Sequence, residues 1–236
     1  GVVGLVGFGS TAERWRADEW SDHDFALVIR EEATERLRGD LAWLPHSTHL
    51  VATVQETHDG FRGIYEDGHV LEFGVPTLDD LQNWRANAYD VVLDRGGVAD
   101  AMAAVAAKPA PGVVQDDEGD LGIFLSLLLI GVGRYRRGEI LSSGESIRSF
   151  ATRHLLLMLA RRLPSGASHR LDTLDPFRRV EQVHPELAAR ISNAQAGDVE
   201  TCARVLLEIA ESALAPGWDE FPWAAVTAVR RRLGWT

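Results

Sequence analysis

One cysteine in 236 residues, Cys202, excludes an intrachain disulfide. It falls in an apolar helical pattern and reads as a small core residue. Long hydrophobic runs are also missing. The longest, Leu121–Val132, contains Ser and Gly and is too short to span a membrane. No signal peptide is visible, and the chain begins without Met, so a trimmed N-terminus and a reducing cytoplasm are the expected setting. Positive charge is scarce: 24 Lys and Arg stand against 35 Asp and Glu, a net charge of −11. The deficit is concentrated in residues 1–115, with 9 basic and 19 acidic side chains, whereas residues 116–236 hold 15 and 16. Binding to nucleic acid leans on phosphate contacts and a basic surface, so that partner class is set aside. An acidic field suits a cationic small molecule, and it is also an ordinary route to solubility. The eight His residues show no metal-ligand spacing; His46 and His49 straddle a loop-to-strand boundary, which disfavours zinc. Gly4, Gly7 and Gly9 fail as a dinucleotide fingerprint because Ala12 stands where a Gly is needed. A P-loop, a Gly-x-Ser-x-Gly elbow and an internal repeat are likewise missing. What remains, 45% hydrophobic and 25% charged, is an ordinary globular composition of one large or two modest domains.

What is there is Gly9-Ser10 followed by Ser21-Asp22-His23-Asp24, between two apolar stretches that read as strands, Val2–Phe8 and Phe25–Ile29. In a strand, residues i and i+2 share a face, so Asp22 and Asp24 project together and His23 points the other way. Adjacent carboxylates repel unless a cation lies between them, and oxygen-only ligands suit Mg²⁺. Gly9 permits close backbone approach or a positive φ. Ser10 reads as the N-cap of a short helix whose N–H groups turn toward an anion. Singly, each half is an ordinary cap or turn; together they fit a metal and a nucleoside triphosphate.

This stretch resembles the signature of the polymerase-β-type nucleotidyltransferases, most closely the small-molecule branch with the aminoglycoside and lincosamide nucleotidyltransferases. The likeness is carried by residues 1–107. One departure is the segment Thr11–Arg16, one residue longer than usual and without the small residue many relatives have there. The resemblance implies a third acid on a later strand. Phe61–Tyr65 and His69–Val75 flank Asp67-Gly68, a hairpin signal. Leu71 and Phe73 share one face of the second strand; Val70, Glu72 and Gly74 share the other. A Glu there is costly to bury unless paired or metal-bound, and Gly74 beside it leaves room for a ligand. The alternative is an edge strand with Glu72 in water. By resemblance, Glu72 completes a metal-binding triad with Asp22 and Asp24 and serves as general base.

The fold expected is an α/β nucleotidyltransferase domain with a mixed sheet over residues 1–107, a linker over 108–116 and an all-α helical bundle over 117–236. In the first part, strands are expected at Val2–Phe8, His23–Ile29, Thr48–Val54 and Tyr89–Leu93 besides the hairpin. Helices are expected at Thr11–Arg16, Glu31–Leu44, from Thr77 and over Val98–Ala107. Past Lys108-Pro109-Ala110-Pro111-Gly112 strand signals vanish. Helices are expected over Asp116–Arg137, over Ser143–Leu163 with Ser142 or Ser143 as cap, within Leu174–Ala196, over Asp198–Leu214 and over Pro222–Leu233.

Two clusters of this half are candidates for triphosphate binding, Arg134 and Arg137 in one and Arg178 in the other, because the guanidinium fork matches phosphate. Helix-dipole complementarity and surface ion pairs explain the same residues without a ligand. Glu139 is the rival general base to Glu72. The activity expected is Mg²⁺-dependent transfer of a nucleoside monophosphate, AMP from ATP, onto a hydroxyl of a small acceptor. Antibiotic modification is the association the resemblance brings, with no nucleic acid or membrane partner. The two-domain form and abundant Trp would suit a homodimer. The alternatives are a non-catalytic nucleotide-binding regulator on the same fold and an antitoxin-type transferase that modifies a partner protein.

Overall fold

The computed structural model describes residues 1–108, 115–163 and 165–235. The chain divides into two compact units, Gly1–Pro111 and Gly112–Thr236. Most of the expected linker, residues 109–114, lies outside the described residues, as does Pro164.

The first unit holds a six-stranded mixed sheet. In chain order the strands are β1 (Val2–Phe8), β2 (His23–Ile29), β3 (Leu50–Gln55), β4 (Gly60–Tyr65), β5 (Val70–Gly74) and β6 (Tyr89–Asp94). They lie in the order β3-β4-β5-β2-β1-β6, with β2 and β5 parallel and every other pair antiparallel. The short helices of this unit are α1 (Gly9–Ala12), α2 (Thr34–Gly39), α3 (Leu78–Leu81) and α4 (Val98–Ala106).

The near-continuous apolar runs of β1 and β2 follow from burial on both faces. Val3, Val6, Ala26 and Val28 pack with Leu81, Val98, Met102 and Val105 of α3 and α4. On the other face Ile29, Leu71, Phe73 and Val75 pack with Ala33, Leu37 and Leu44. Phe25, Phe73 and Phe61, neighbours across β2, β5 and β4, stack there with centroids 5.3 and 5.4 Å apart, and Trp43 meets Phe73 edge-on. Edge strand β3 is mostly exposed.

Several expected elements come out differently. The helix expected over Glu31–Leu44 is a 3-10 turn, Glu31–Ala33, followed by α2, which stops at Gly39 with Asp40 extended. Leu44 still reaches the core from the following turn. The segment Thr11–Arg16 breaks at Glu13, leaving α1 and a 3-10 turn at Arg14–Arg16. Ser10 caps nothing: Phe8 stands at the N-cap and Ser10 lies within α1. Gly74 leaves no room for a ligand, because a Cβ there would lie 2.1 Å from Trp84 Cη2. Nor is β5 an edge strand; it runs between β4 and β2.

The second unit is helical throughout its described residues. Its helices are α5 (Asp117–Arg136), α6 (Ile140–Gly144), α7 (Thr152–Arg162), α8 (Val180–Val183), α9 (Pro185–Ala196), α10 (Val199–Leu214) and α11 (Trp223–Leu233). A π-helical stretch, Glu145–Ala151, joins α6 to α7. Asp116 and Asp198 cap α5 and α10 by accepting the N–H groups of Gly119 and Thr201. Ser143 is not a cap but a buried residue within α6, its hydroxyl donating to Ile140 O. Within Leu174–Ala196, where a helix is expected, α9 fills the second half; Arg179 at φ +68° precedes α8, and His184, ahead of Pro185, separates α8 from α9. Phe124, Leu128, Ile147, Leu155, Leu206 and Leu207 lie in one apolar core. Cys202 is buried in it, and desolvation pushes its thiol up to about 11. No helix among the described residues is long and apolar enough to cross a membrane.

Candidate active site

The sheet topology brings three chain segments to one place. β1 ends at Phe8 beside the start of its antiparallel neighbour β2, so the turn at Gly9 opens where Asp22 and Asp24 emerge. β5 runs parallel to β2 in a register that sets Glu72 opposite Asp24. Asp22, immediately before β2, completes the group. One carboxylate oxygen from each of Asp22, Asp24 and Glu72 lies within 4.8 Å of the others. These are oxygen donors of the type that hard cations take. The donor set therefore fits Mg²⁺.

The turn is fastened to the acids. Ser10 Oγ donates to Asp22 O at 3.4 Å, and Asp24 N–H donates to Thr11 Oγ1 at 3.1 Å. Gly9 has φ +53°, the left-handed region that favours glycine. A Cβ at this position would lie 2.6 Å from Asp24 Oδ2 and 3.8 Å from an Arg16 nitrogen. The backbone thus passes against the carboxylate with no space for a side chain. Arg16 is held at this spot by Glu13, 2.6 Å away.

Beside the turn a cleft of about 520 Å³ is lined by Ser10, Thr11, Arg14, Asp18, Glu19 and Asp22, among others. His23 and His69 line it as well, with His23 Nδ1 and His69 Nε2 2.5 Å apart in one hydrogen bond. His23 lies opposite Leu71 in the sheet register.

Glu72 is partly exposed, and it has a protein partner. Its partner is Arg62, directly across β4, and the two side chains form an ion pair. Arg62 also faces Glu56 at 3.3 Å. Sequence reasoning missed this pairing, although the hairpin held the signal. The loop has three residues, Glu66-Asp67-Gly68, with Gly68 at φ +86°, and that length pairs Ile64 with Val70 and Arg62 with Glu72.

A second group, His58, Asp59 and Asp80, also brings ligand-type atoms within 4.8 Å. Its carboxylates are engaged by protein donors. Trp84 Nε1 donates to Asp59 at 2.9 Å, and Arg38 to Asp80 at 2.6 Å. Asp80 also closes a capping box with Thr77 at the start of α3. This group ties α2, α3 and the β4 end together and needs no metal.

The remaining candidates belong to the second unit, and each has a partner inside it. Arg134 donates to Ser146 Oγ at 3.0 Å. Arg137 pairs with Glu139 at 2.8 Å, which also engages the rival base. Arg178 lies 3.6 Å from Asp172, a buried acid whose closer partner is Arg179 at 2.7 Å. Set against known protein families and characterised proteins, the chain matches none.

Proposed function

We propose that the protein is a nucleotidyltransferase that moves a nucleoside monophosphate, AMP from ATP in the first instance, onto a hydroxyl of a small acceptor and releases pyrophosphate. The observation that carries this reading is the convergence of Asp22, Asp24 and Glu72 beside the Gly9-Ser10 turn. On this reading the α/β unit is a nucleotidyltransferase domain of the polymerase-β type. Mg²⁺ held by Asp22, Asp24 and Glu72 would supply Lewis-acid stabilisation of the phosphoryl charge.

The chain's own residues orient the reaction. Gly9 and Ser10 offer backbone N–H groups to the β- and γ-phosphates. Arg14, in the same cleft, offers a guanidinium that suits phosphate oxygens. The acceptor oxygen forms a bond to the α-phosphorus, the bond from that phosphorus to the bridging oxygen breaks, and pyrophosphate leaves with its electron pair. The hydroxyl proton passes to a carboxylate, Glu72 in this assignment. In-line geometry makes positioning and electrostatics the main sources of rate. The acidic lining of the cleft, with Asp18 and Glu19, favours a cationic acceptor of the aminoglycoside kind.

Asp22→Asn and Asp24→Asn test the site. Each keeps the side-chain shape and removes a charged ligand, so transfer should fall by more than about a hundredfold while the thermal unfolding midpoint stays near wild type. Substantial transfer by both variants would move the chemistry elsewhere.

A further inference from the structure

The row Asp24–Glu72–Arg62 crosses three adjacent strands, and its last member is a cation set against the outermost acid. One nitrogen of Arg62, Nη2, serves two carboxylates. It contacts Glu72 Oε1 and stands 3.3 Å from Glu56 Oε2. Only Glu72 belongs to the acidic triad. The three side chains are 45%, 40% and 47% exposed for Arg62, Glu72 and Glu56, so each can reorient without disturbing the core.

Holding Asp22, Asp24 and Glu72 together without a counter-ion is unfavourable, and Arg62 offsets part of that repulsion. The same positive charge opposes any second cation at Glu72. Glu56 is a second seat for the guanidinium, already within reach. Building on the nucleotidyltransferase reading, we propose that Arg62 is the resident counter-ion of Glu72 and yields that carboxylate to the catalytic metal by shifting onto Glu56. Arg62 is then a positioning residue. It keeps the acids assembled in the bare protein and holds its affinity for free metal low, so that the metal enters with the triphosphate.

The test is Mn²⁺ titration of the full chain at low ionic strength, reading free Mn²⁺ by electron paramagnetic resonance. Arg62→Gln should bind Mn²⁺ about two- to fivefold more tightly than wild type, the range an exposed ion pair allows. Arg62→Lys, which keeps the charge, should stay near wild type. Glu56→Gln should weaken binding by a similar factor, and the same change made on top of Arg62→Gln should have no further effect. Charge alone gives opposite signs for the two ends, so the loss of the Glu56→Gln effect in the Arg62→Gln background is what marks a shift of the guanidinium onto Glu56. Unchanged or weaker binding in Arg62→Gln would overturn the inference, as would a Glu56→Gln effect that persists without Arg62. If Asp24→Asn leaves wild-type Mn²⁺ binding intact, the metal site itself falls, and with it both the reading and the inference. Binding that is lost in Asp24→Asn but indifferent to Arg62 sinks the inference alone.

Discussion

Gly9 meets two demands that no other residue meets together. Its φ of +53° is strained for an L side chain, and a Cβ would strike Asp24 Oδ2. Gly9→Ala should cost about 1–2 kcal/mol in stability, the usual penalty for such backbone strain. Transfer should fall further than that loss explains, because Asp24 must turn aside. Denaturant midpoints read beside steady-state rates check this, and wild-type turnover in the variant would contradict it. Asp80 illustrates a different economy. Burial pushes its carboxyl up, but the Thr77 N–H, His58, Arg38 and the Thr77 hydroxyl outweigh burial and hold it well below the usual carboxylate range. A group depressed in the folded state stabilises above its unfolded value, near pH 4, and loses that contribution as the pH falls toward its folded value. Asp80→Ala should therefore cost about 2–3 kcal/mol at pH 7, and the gap from wild type should shrink progressively below about pH 4. Urea unfolding across that pH range measures it; a gap that widens in acid would contradict the assignment. At this scale the sequence was partly legible. The acids and the glycine announce themselves by type and spacing. The partners Arg62, Thr11 and Arg14 do not, since any surface Arg or Thr looks the same until a register is known.

Among the elements, the β4–β5 hairpin does most to set the site. Its three-residue loop decides that Arg62 and Glu72 share a face, and a two-residue loop would send them to opposite faces. Behind the acid row lies the stacked row Phe25–Phe73–Phe61, which pins β2, β5 and β4 in that register from the other side. Phe73 is 4% exposed, and Phe73→Ala should cost about 3–5 kcal/mol and loosen the site with the sheet. Calorimetric unfolding tests it, and a loss below about 1 kcal/mol would show that the row does not bear on the register. The strands were readable because apolar runs bounded by Gly and Asp leave little choice. The short helices were not. Leu37, Leu41 and Leu44 keep helical spacing, yet the helix ends at Gly39 and the last two leucines pack from a turn. Apolar spacing records which residues face the core, not whether the backbone between them stays hydrogen-bonded. The same holds at His184, which leaves helical geometry ahead of Pro185 and separates α8 from α9.

At the scale of the whole molecule, composition and organisation point one way. The sheet lies in the first unit, which also holds the strongly acidic 1–115 segment, and the second unit is helical over its described residues. On the proposed function, charge placed around the acidic cluster would favour cationic ligands, and a triphosphate would enter with its accompanying cation. The acceptor that the proposed function calls for was the least legible property, because recognition surfaces are built from loops and helix faces whose composition is ordinary. The central claim, that this is a transferase acting through Asp22, Asp24 and Glu72, is tested most directly by pyrophosphate release. The assay takes MgATP with a panel of aminoglycosides, lincosamides and related polyols, and Asp24→Asn as control. The account predicts release that requires an acceptor and vanishes in Asp24→Asn. Release that ignores Asp24, or no release with any acceptor together with no Asp24-dependent binding of MgATP by calorimetry, would contradict it.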